Sequence, residues 1–323
     1  MIKNRTILIT GGAGFIGSNL VARLIKDNNV VVLDNLSSGN IDLLKSYMHL
    51  KNFKFIKGDL LVKEDVNPAL ENIDIIFHLA ANPDVRLGAL DTDIHLKQNV
   101  IATSNLLEAM RIKDVKNLIF TSSSTVYGEA KLMPTPENYG PLIPISMYGA
   151  SKLAAEAYIT AYSQNYGFSS VIYRFANIVG EHGTHGVIYD FIHKLLLNPD
   201  NLEILGDGSQ SKSYLYIGEC IEAMIFGFEN KKEFVEIFNI GSEDYINVKD
   251  IASIVVKAMN LKKVNFNFTG GKDGRGWVGD IKVMILDINK IKSYGFVPHY
   301  NSRRSIELAA ESLWSEIKNG LKS

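Results

Sequence analysis

Cysteine is almost missing from this sequence: Cys220 is the single instance in 323 residues. One thiol closes no intramolecular disulfide and excludes multi-cysteine zinc and iron–sulfur sites, so a reducing compartment is the simplest fit. An excess of one charge sign is missing too. Lys plus Arg number 34 and Asp plus Glu 35, a net charge of −1, which leaves no basic footprint for nucleic acid and no polybasic membrane signal. Long apolar runs are absent as well. After Lys3 and Arg5 comes only Ile7-Leu8-Ile9 before Gly11-Gly12, too short for the core of a secretory signal. No run approaches the roughly 20 residues of a membrane span. These absences predict a cytoplasmic protein with neither nucleic acid nor membrane as partner.

What is present is ordinary for a globular chain, with 46% hydrophobic and 21% charged residues, and the length allows about two domains at roughly 150 residues each. Short apolar runs at 6–10, 30–34, 53–56, 73–80, 117–121 and 169–174 alternate with helix-like stretches such as 95–113 and 146–166. The runs are continuous rather than alternating, as suits strands buried on both faces of a parallel sheet. The fold class expected is α/β: a Rossmann-type doubly wound parallel sheet over 1–178, then a smaller mixed α/β C-terminal lobe for substrate over 179–323. The boundary is soft, and the chain is free to cross back over it. A cleft between the two is the expected ligand site.

The segment Thr10-Gly11-Gly12-Ala13-Gly14-Phe15-Ile16-Gly17-Ser18 joins the first strand to the first helix. Glycines at 11, 14 and 17 permit a tight turn, close approach of backbone to a phosphate, and close packing of helix on strand. The helix N-terminus offers free N–H groups and a positive dipole end to a pyrophosphate. Asp34 ends the second strand, where a carboxylate accepts from ribose hydroxyls and repels a 2′-phosphate, favouring NAD over NADP. A carboxylate there can also cap the polar turn at 35–40, and Asp34 could do both, with the ribose role the favoured one.

Tyr148 and Lys152 stand four residues apart at the start of the 146–166 helix and so share one face. An ammonium beside a phenol stabilises the phenolate, which can then act as a base near neutral pH. Alone, this spacing describes any two residues on a solvated face. It gains weight beside Thr121-Ser122-Ser123-Ser124-Thr125-Val126-Tyr127-Gly128, hydroxyls at a strand end that could polarise a substrate oxygen. His182 and His185 have no third ligand nearby, so no metal site is expected. Cys220 reads as core, His78 as core or as a prop for the cofactor loop. Arg86 reads as a substrate neighbour or a surface cation.

These elements resemble the extended short-chain dehydrogenase/reductases, most of all sugar-nucleotide 4-epimerases of the UDP-glucose 4-epimerase type. The shared elements are TGGAGFIGS at 10–18, LDNLSSGN at 33–40, GDL at 58–60, HLAA at 78–81, NV at 99–100, SSSTVYG at 122–128, YGASK at 148–152 and RFAN at 174–177. The resemblance implies a catalytic set of Ser123, Tyr148 and Lys152. It implies NAD contacts from Gly11, Gly14, Phe15, Ile16, Gly17, Asp34, Asn35, Ser37, Ser38, Gly39, Asn40, Asp59, Leu60, Leu79, Ala80, Ala81 and Asn99. Tyr148 and Lys152 would touch the cofactor too, with Phe175 near the nicotinamide. Substrate contacts would come from Ser123, Asn177, Val187, Lys212 and Arg275. Lys212 stands where relatives carry an arginine, keeping the charge but losing the bidentate fork. The match at Arg275 is looser, because the spacing to Gly279-Asp280 is longer than in relatives. Either cation could instead be a solvated surface charge. The resemblance further implies a homodimer through the 95–113 and 146–166 helices.

The departures narrow the chemistry. Dehydrating relatives carry Asp-Glu directly after the catalytic hydroxyl, and decarboxylating ones a Glu second. Here Ser124 and Thr125 occupy those places, and neither supplies a carboxylic acid for a leaving hydroxyl. No cysteine lies in this stretch for epimerisation at carbons 3 and 5. The expectation is an NAD-dependent 4-epimerase acting through a transient 4-keto sugar. The same residues would serve a C4 dehydrogenase that releases the ketone. A non-catalytic NAD-binding protein would have no use for a poised phenol.

Overall fold

The computed structural model describes residues 2–271, 274, 276, 281 and 283–321. The first half of the chain runs β1 (Thr6–Thr10), α1 (Phe15–Leu24), β2 (Asn29–Asp34), β3 (Phe53–Lys57), α2 (Lys63–Ala69), β4 (Ile75–His78), α3 (Asp93–His95), α4 (Ala102–Lys113), β5 (Asn117–Ser123), α5 (Met147–Tyr166) and β6 (Ser169–Phe175). Next come β7 (Asn177–Val179), α6 (Val187–Leu197), β8 (Asn201–Ile204), β9 (Ser211–Lys212), β10 (Tyr214–Tyr216), α7 (Ile217–Asn230) and β11 (Val235–Ile240). The chain finishes with β12 (Ile246–Asn247), α8 (Val248–Ala258), β13 (Asn265–Phe268), β14 (Val283–Met284), α9 (Asn289–Tyr294) and α10 (Ser302–Gly320).

Seven strands form the main sheet in the order β11-β6-β5-β4-β1-β2-β3. β1 pairs in parallel with β2 and β4, β2 with β3, and β4 with β5. This is the doubly wound Rossmann-type arrangement that the apolar runs predicted. Strand β4 is buried along its whole length, which is why Ile75, Ile76 and Phe77 are apolar without alternation. The order reverses between β1 and β4, whose ends Thr10 and His78 lie in register. Ligands of such sheets bind outside the carboxyl ends of the strands at that reversal. Leu8, Leu33, Ile76, Leu106, Leu118, Ile159, Phe168 and Ile172 join one core around the sheet, each aliphatic or aromatic side chain contributing about 1.5–3 kcal/mol of burial.

The chain divides into two compact units. Unit 1 is Met1–Gly128, Gly140–Arg174 and Ile221–Phe238; unit 2 is Glu129–Tyr139, Phe175–Cys220 and Asn239–Ser323. The segment 221–238, which chain order alone places in the second lobe, thus belongs to the first. Side chains explain this. The Tyr173 hydroxyl donates to the Met224 carbonyl at 2.6 Å, Tyr173 stacks on Phe238 at 6.0 Å, and Ser170 N donates to Phe234 O at 3.0 Å. Residues 129–139 cross the other way. Asn239 N donates to Glu137 at 2.8 Å, and the Asn239 amide donates to the Thr135 and Asp287 carbonyls. Unit 2 has its own core, in which Phe191, Ile192, Leu202, Ile204, Ile251, Val255, Ile306 and Leu313 meet.

The helix expected over 95–113 is interrupted. Leu96–Ile101 forms a π-helical turn before α4 begins. Helix α5 starts where the Ser146 hydroxyl accepts from Gly149 N at 3.0 Å, and ends at Gly167 with φ +73°, a left-handed C-terminal stop suited to glycine.

Candidate active site

The glycine loop packs too closely for side chains. A Cβ on Gly11, whose φ is +72°, would lie 2.7 Å from Ala80 N, and one on Gly17 would lie 2.2 Å from the Gly11 carbonyl. Gly14 caps α1 without a side-chain bond. The first helical bond is Ser18 N to Gly14 O at 2.9 Å, so the N–H groups of Phe15, Ile16 and Gly17 precede it, the geometry that receives a phosphate. Leu79 N donates to Thr10 O at 3.1 Å, which fixes 79–81 beside the loop. His78 fills the space beneath it, its ring bonded to Thr10 Oγ1 at 2.7 Å and Thr103 Oγ1 at 2.9 Å. Burial pushes this imidazole down to about 3, with the Lys152 charge adding to the effect.

Asp34 caps the loop in fact: its carboxylate accepts from Ala13 N at 2.9 Å and Leu36 N at 2.8 Å. A carboxylate has about four acceptor sites, so these two bonds leave capacity for ribose hydroxyls. The 35–40 turn is braced around it. Asn35 donates to Asp59 at 2.9 Å and accepts from Ser37 N, while Asn40 N donates to Ala13 O at 2.9 Å. A Cβ on Gly39 would lie 3.0 Å from Asp34 Oδ1, and Ser38 is exposed. Leu60 is buried, its carbonyl accepting from Asn105 at 2.9 Å. The residues singled out for NAD in 11–17, 34–40, 59–60 and 79–81 therefore gather beyond the ends of β1 to β4.

Ser123 ends β5, and its Oγ accepts from Thr125 N at 3.3 Å and Thr125 Oγ1 at 3.0 Å. Tyr148, in the first turn of α5, stands beside the Ser123 hydroxyl, which acts on its phenol. The Lys152 ammonium donates to the Thr121 carbonyl at 2.9 Å and lies 5.8 Å from the Tyr148 ring centre. The three catalytic candidates are thus one cluster. Its electrostatics differ from the simple expectation of a lysine-lowered phenol. Burial pushes Tyr148 up to about 12, with the Ser123 hydroxyl pulling the other way. Burial pushes Lys152 down to about 7, with the Glu156 charge opposing it. Burial dominates both shifts, because removal from water disfavours the charged form of each group.

Behind the cluster lies a buried network that the motifs did not single out. Arg174 and Glu156 are each 4% exposed. Arg174 Nη2 donates to Glu156 Oε2 at 2.7 Å, its Nε reaches both Glu156 oxygens, and its Nη1 donates to the Tyr127 hydroxyl at 3.0 Å. Ser122 Oγ donates to Glu156 Oε1 at 2.5 Å. Glu156 stands four residues beyond Lys152 on α5, the one local signal that could have exposed it. Asn99, on the π turn, accepts from Asn82 N at 2.8 Å and donates to Ser151 Oγ at 2.9 Å.

In unit 2, Asn177 donates through its amide to Ser213 O at 3.1 Å. Val187 is the first residue of α6, and Lys212 sits on β9 opposite Ile246. Phe175, at the end of β6, is buried. Cys220 is fully buried and its thiol is pushed up by desolvation. Arg275 lies outside the described residues. Among those residues no cluster of three or more metal-ligating side chains occurs, and no helix is long and apolar enough to cross a membrane.

Residues 7–241 match the model of the NAD dependent epimerase/dehydratase family. This chain belongs to that family. Its cofactor is NAD, and the side-chain-free cradle at Gly11, Gly14 and Gly17 fits a dinucleotide. A UDP-glucose 4-epimerase of Mycolicibacterium smegmatis is 37% identical over 226 residues, 68% of this chain and 71% of that one. A crystal structure of a UDP-galactose 4-epimerase superposes with a TM-score of 0.85 at 38% identity, covering 97% of this chain and 99% of the other. A UDP-glucuronic acid 4-epimerase of Bacillus cereus, solved with UDP-glucuronic acid and NAD, gives 0.86 at 30% identity, covering 96% and 99%. Family members thus share this fold and cofactor while their names carry different sugars.

Proposed function

We propose that the protein is an NAD-dependent sugar-nucleotide 4-epimerase acting through a transient 4-keto sugar. The observation that carries this reading is the Ser123–Tyr148–Lys152 cluster with hydroxyls rather than acids next to it. Thr125 spends its hydroxyl on Ser123, and neither it nor Ser124 can protonate a leaving group as a carboxylic acid would. Ser123 and Tyr148 share the hydrogen bond of the sugar 4-hydroxyl, and Tyr148 takes its proton. Lys152 supports the phenolate and is held in place by the Thr121 carbonyl. Bound NAD⁺ would supply the acceptor for hydride from carbon 4 and the donor for its return, and its positive ring would favour the phenolate. Asp34 would receive the adenosine ribose and Phe175 would stand by the nicotinamide, while Asn177, Val187, Lys212 and Arg275 would serve the nucleotide sugar. These assignments rest on the motif resemblance. The relatives named above, each a UDP-sugar 4-epimerase by its own description, support the substrate class.

The protein forms a homodimer in this reading. Ile112 on α4 and Tyr158 and Tyr166 on α5 are 60%, 48% and 45% exposed, apolar surface that a second copy would cover. Light scattering that finds a monomer at micromolar concentration contradicts this. The activity itself is tested by incubating the protein with a panel of nucleotide sugars and resolving products by NMR. An epimer pair supports the reading, an accumulating 4-ketone replaces it with net C4 oxidation, and no turnover on any sugar overturns it.

A further inference from the structure

His95 has no role in the chemistry described above, yet it lies against the residue that performs it. It is 1% exposed. Its ring meets the Tyr148 ring edge to face, 5.6 Å between centres at an interplanar angle of 71°, a preferred aromatic geometry. Its Nε2 is buried with no hydrogen-bond partner, an arrangement that costs stability and calls for an explanation. Gly88 covers it from the other side: a Cβ there would lie 2.7 Å from the ring Cδ2 and 3.0 Å from Nε2. His95 immediately precedes the π turn Leu96–Ile101, a rare geometry that recurs at functional sites. The same turn carries Asn99, whose amide approaches His95 Nδ1 at 3.4 Å and donates to Ser151 Oγ at 2.9 Å. Ser151 in turn donates to the Tyr148 carbonyl at 2.7 Å. The π turn and the residue before it therefore hold Tyr148 twice, at its backbone through Asn99 and Ser151, and at its ring through His95.

We propose that His95 is a positioning residue that holds the Tyr148 ring at Ser123. The contact is one of shape, ring edge on ring face. Burial lowers the pKa of this imidazole and the Lys152 charge adds to that, against the Asp84 backbone carbonyl and the charges of Asp84 and Asp91. The inference rests on the epimerase reading for its kinetic test and on geometry for its structural one.

The test uses full-length protein with bound NAD. His95→Ala should lower kcat about 10–100-fold, the scale of a misplacement of about 1 Å, with KM changed less than about threefold and NAD content unchanged. His95→Phe keeps the ring edge and should restore kcat to within about fivefold of the unmodified protein. A crystal structure of His95→Ala should show Tyr148 displaced from Ser123. If His95→Ala fails to fold, His95→Leu fills similar volume without an aromatic edge and is read the same way. A kcat within twofold in His95→Ala, a His95→Phe as impaired as the alanine variant, or Tyr148 still in its place beside Ser123 in the variant crystal overturns the proposal. An unmodified protein inactive on every nucleotide sugar would overturn the epimerase reading alone, leaving the crystal structure of His95→Ala to decide this one.

Discussion

Replacing Glu156 by glutamine changes one oxygen to nitrogen and removes one charge from the network behind the catalytic cluster. Gln keeps an acceptor for Ser122 or Arg174 but takes the charge of Glu156 away from the Arg174 guanidinium, which is 4% exposed. Removing one partner of a buried pair costs about 3–5 kcal/mol, whereas an exposed pair is worth roughly 0–1 kcal/mol. The two cases separate clearly in urea unfolding followed by circular dichroism. Glu156→Gln should therefore lose about 3–5 kcal/mol of unfolding free energy. The double variant Glu156→Leu, Arg174→Met should recover most of it, because it leaves no buried charge unpaired. A second readout follows from the sign of the Glu156–Lys152 interaction. Glu156 raises the Lys152 pKa against the burial that pushes it down to about 7. Without that charge Lys152 loses its proton at lower pH, so the alkaline fall in kcat should move to lower pH. A loss below about 1 kcal/mol, the range of a surface pair, together with an unmoved pH profile, would refute the reasoning.

Three further outcomes are expected. Tyr148→Phe removes the base without touching the NAD loop, so it should retain NAD by absorbance and lose about 10²–10⁴-fold in rate; turnover within about threefold of the unmodified protein places the base elsewhere. Asp34→Ala strips the acceptor from Ala13 N and Leu36 N, so calorimetry should show weaker NAD binding, and unfolding should cost about 1–3 kcal/mol less for each amide left unpaired; unchanged NAD affinity removes Asp34 from the cofactor site. His78, pushed down to about 3 by burial, should show no imidazole titration by NMR between pH 5 and 8. A midpoint near the ordinary histidine value of about 6.5 would mean that the packing beneath the glycine loop is not as described.

Local patterns were legible in the sequence and long-range ones were not. The glycine loop, the acid at the end of β2 and the Tyr148/Lys152 pair are each set by spacing within one strand–helix unit. Their geometry is therefore written in adjacent residues. Strand β11 shows the opposite case. Its apolar run is visible, but its place beside β6 depends on Tyr173 meeting Met224 and Phe238, residues some 50 or more positions apart. The π turn was hidden because Leu96–Ile101 has ordinary helical composition; what marks it is His95 and Asn99 reaching α5. The Glu156–Arg174 pair was half legible. Glu156 lies one turn beyond Lys152, but nothing local reveals that Arg174, 18 residues on in β6, closes the pair. The spacing of Tyr148 and Lys152 foretold their proximity. The direction of the Tyr148 pKa was set by burial, which spacing does not report.

The central claim is that carbon 4 of a nucleotide sugar gives up its hydrogen as hydride and receives the same one back. A substrate deuterated at carbon 4 tests it directly when the reaction is run in ordinary water and followed by NMR. The account predicts that the 4-epimer forms with its deuterium retained at carbon 4. Deuterium lost to water during epimerisation, or a 4-ketone as the lasting product, would contradict it.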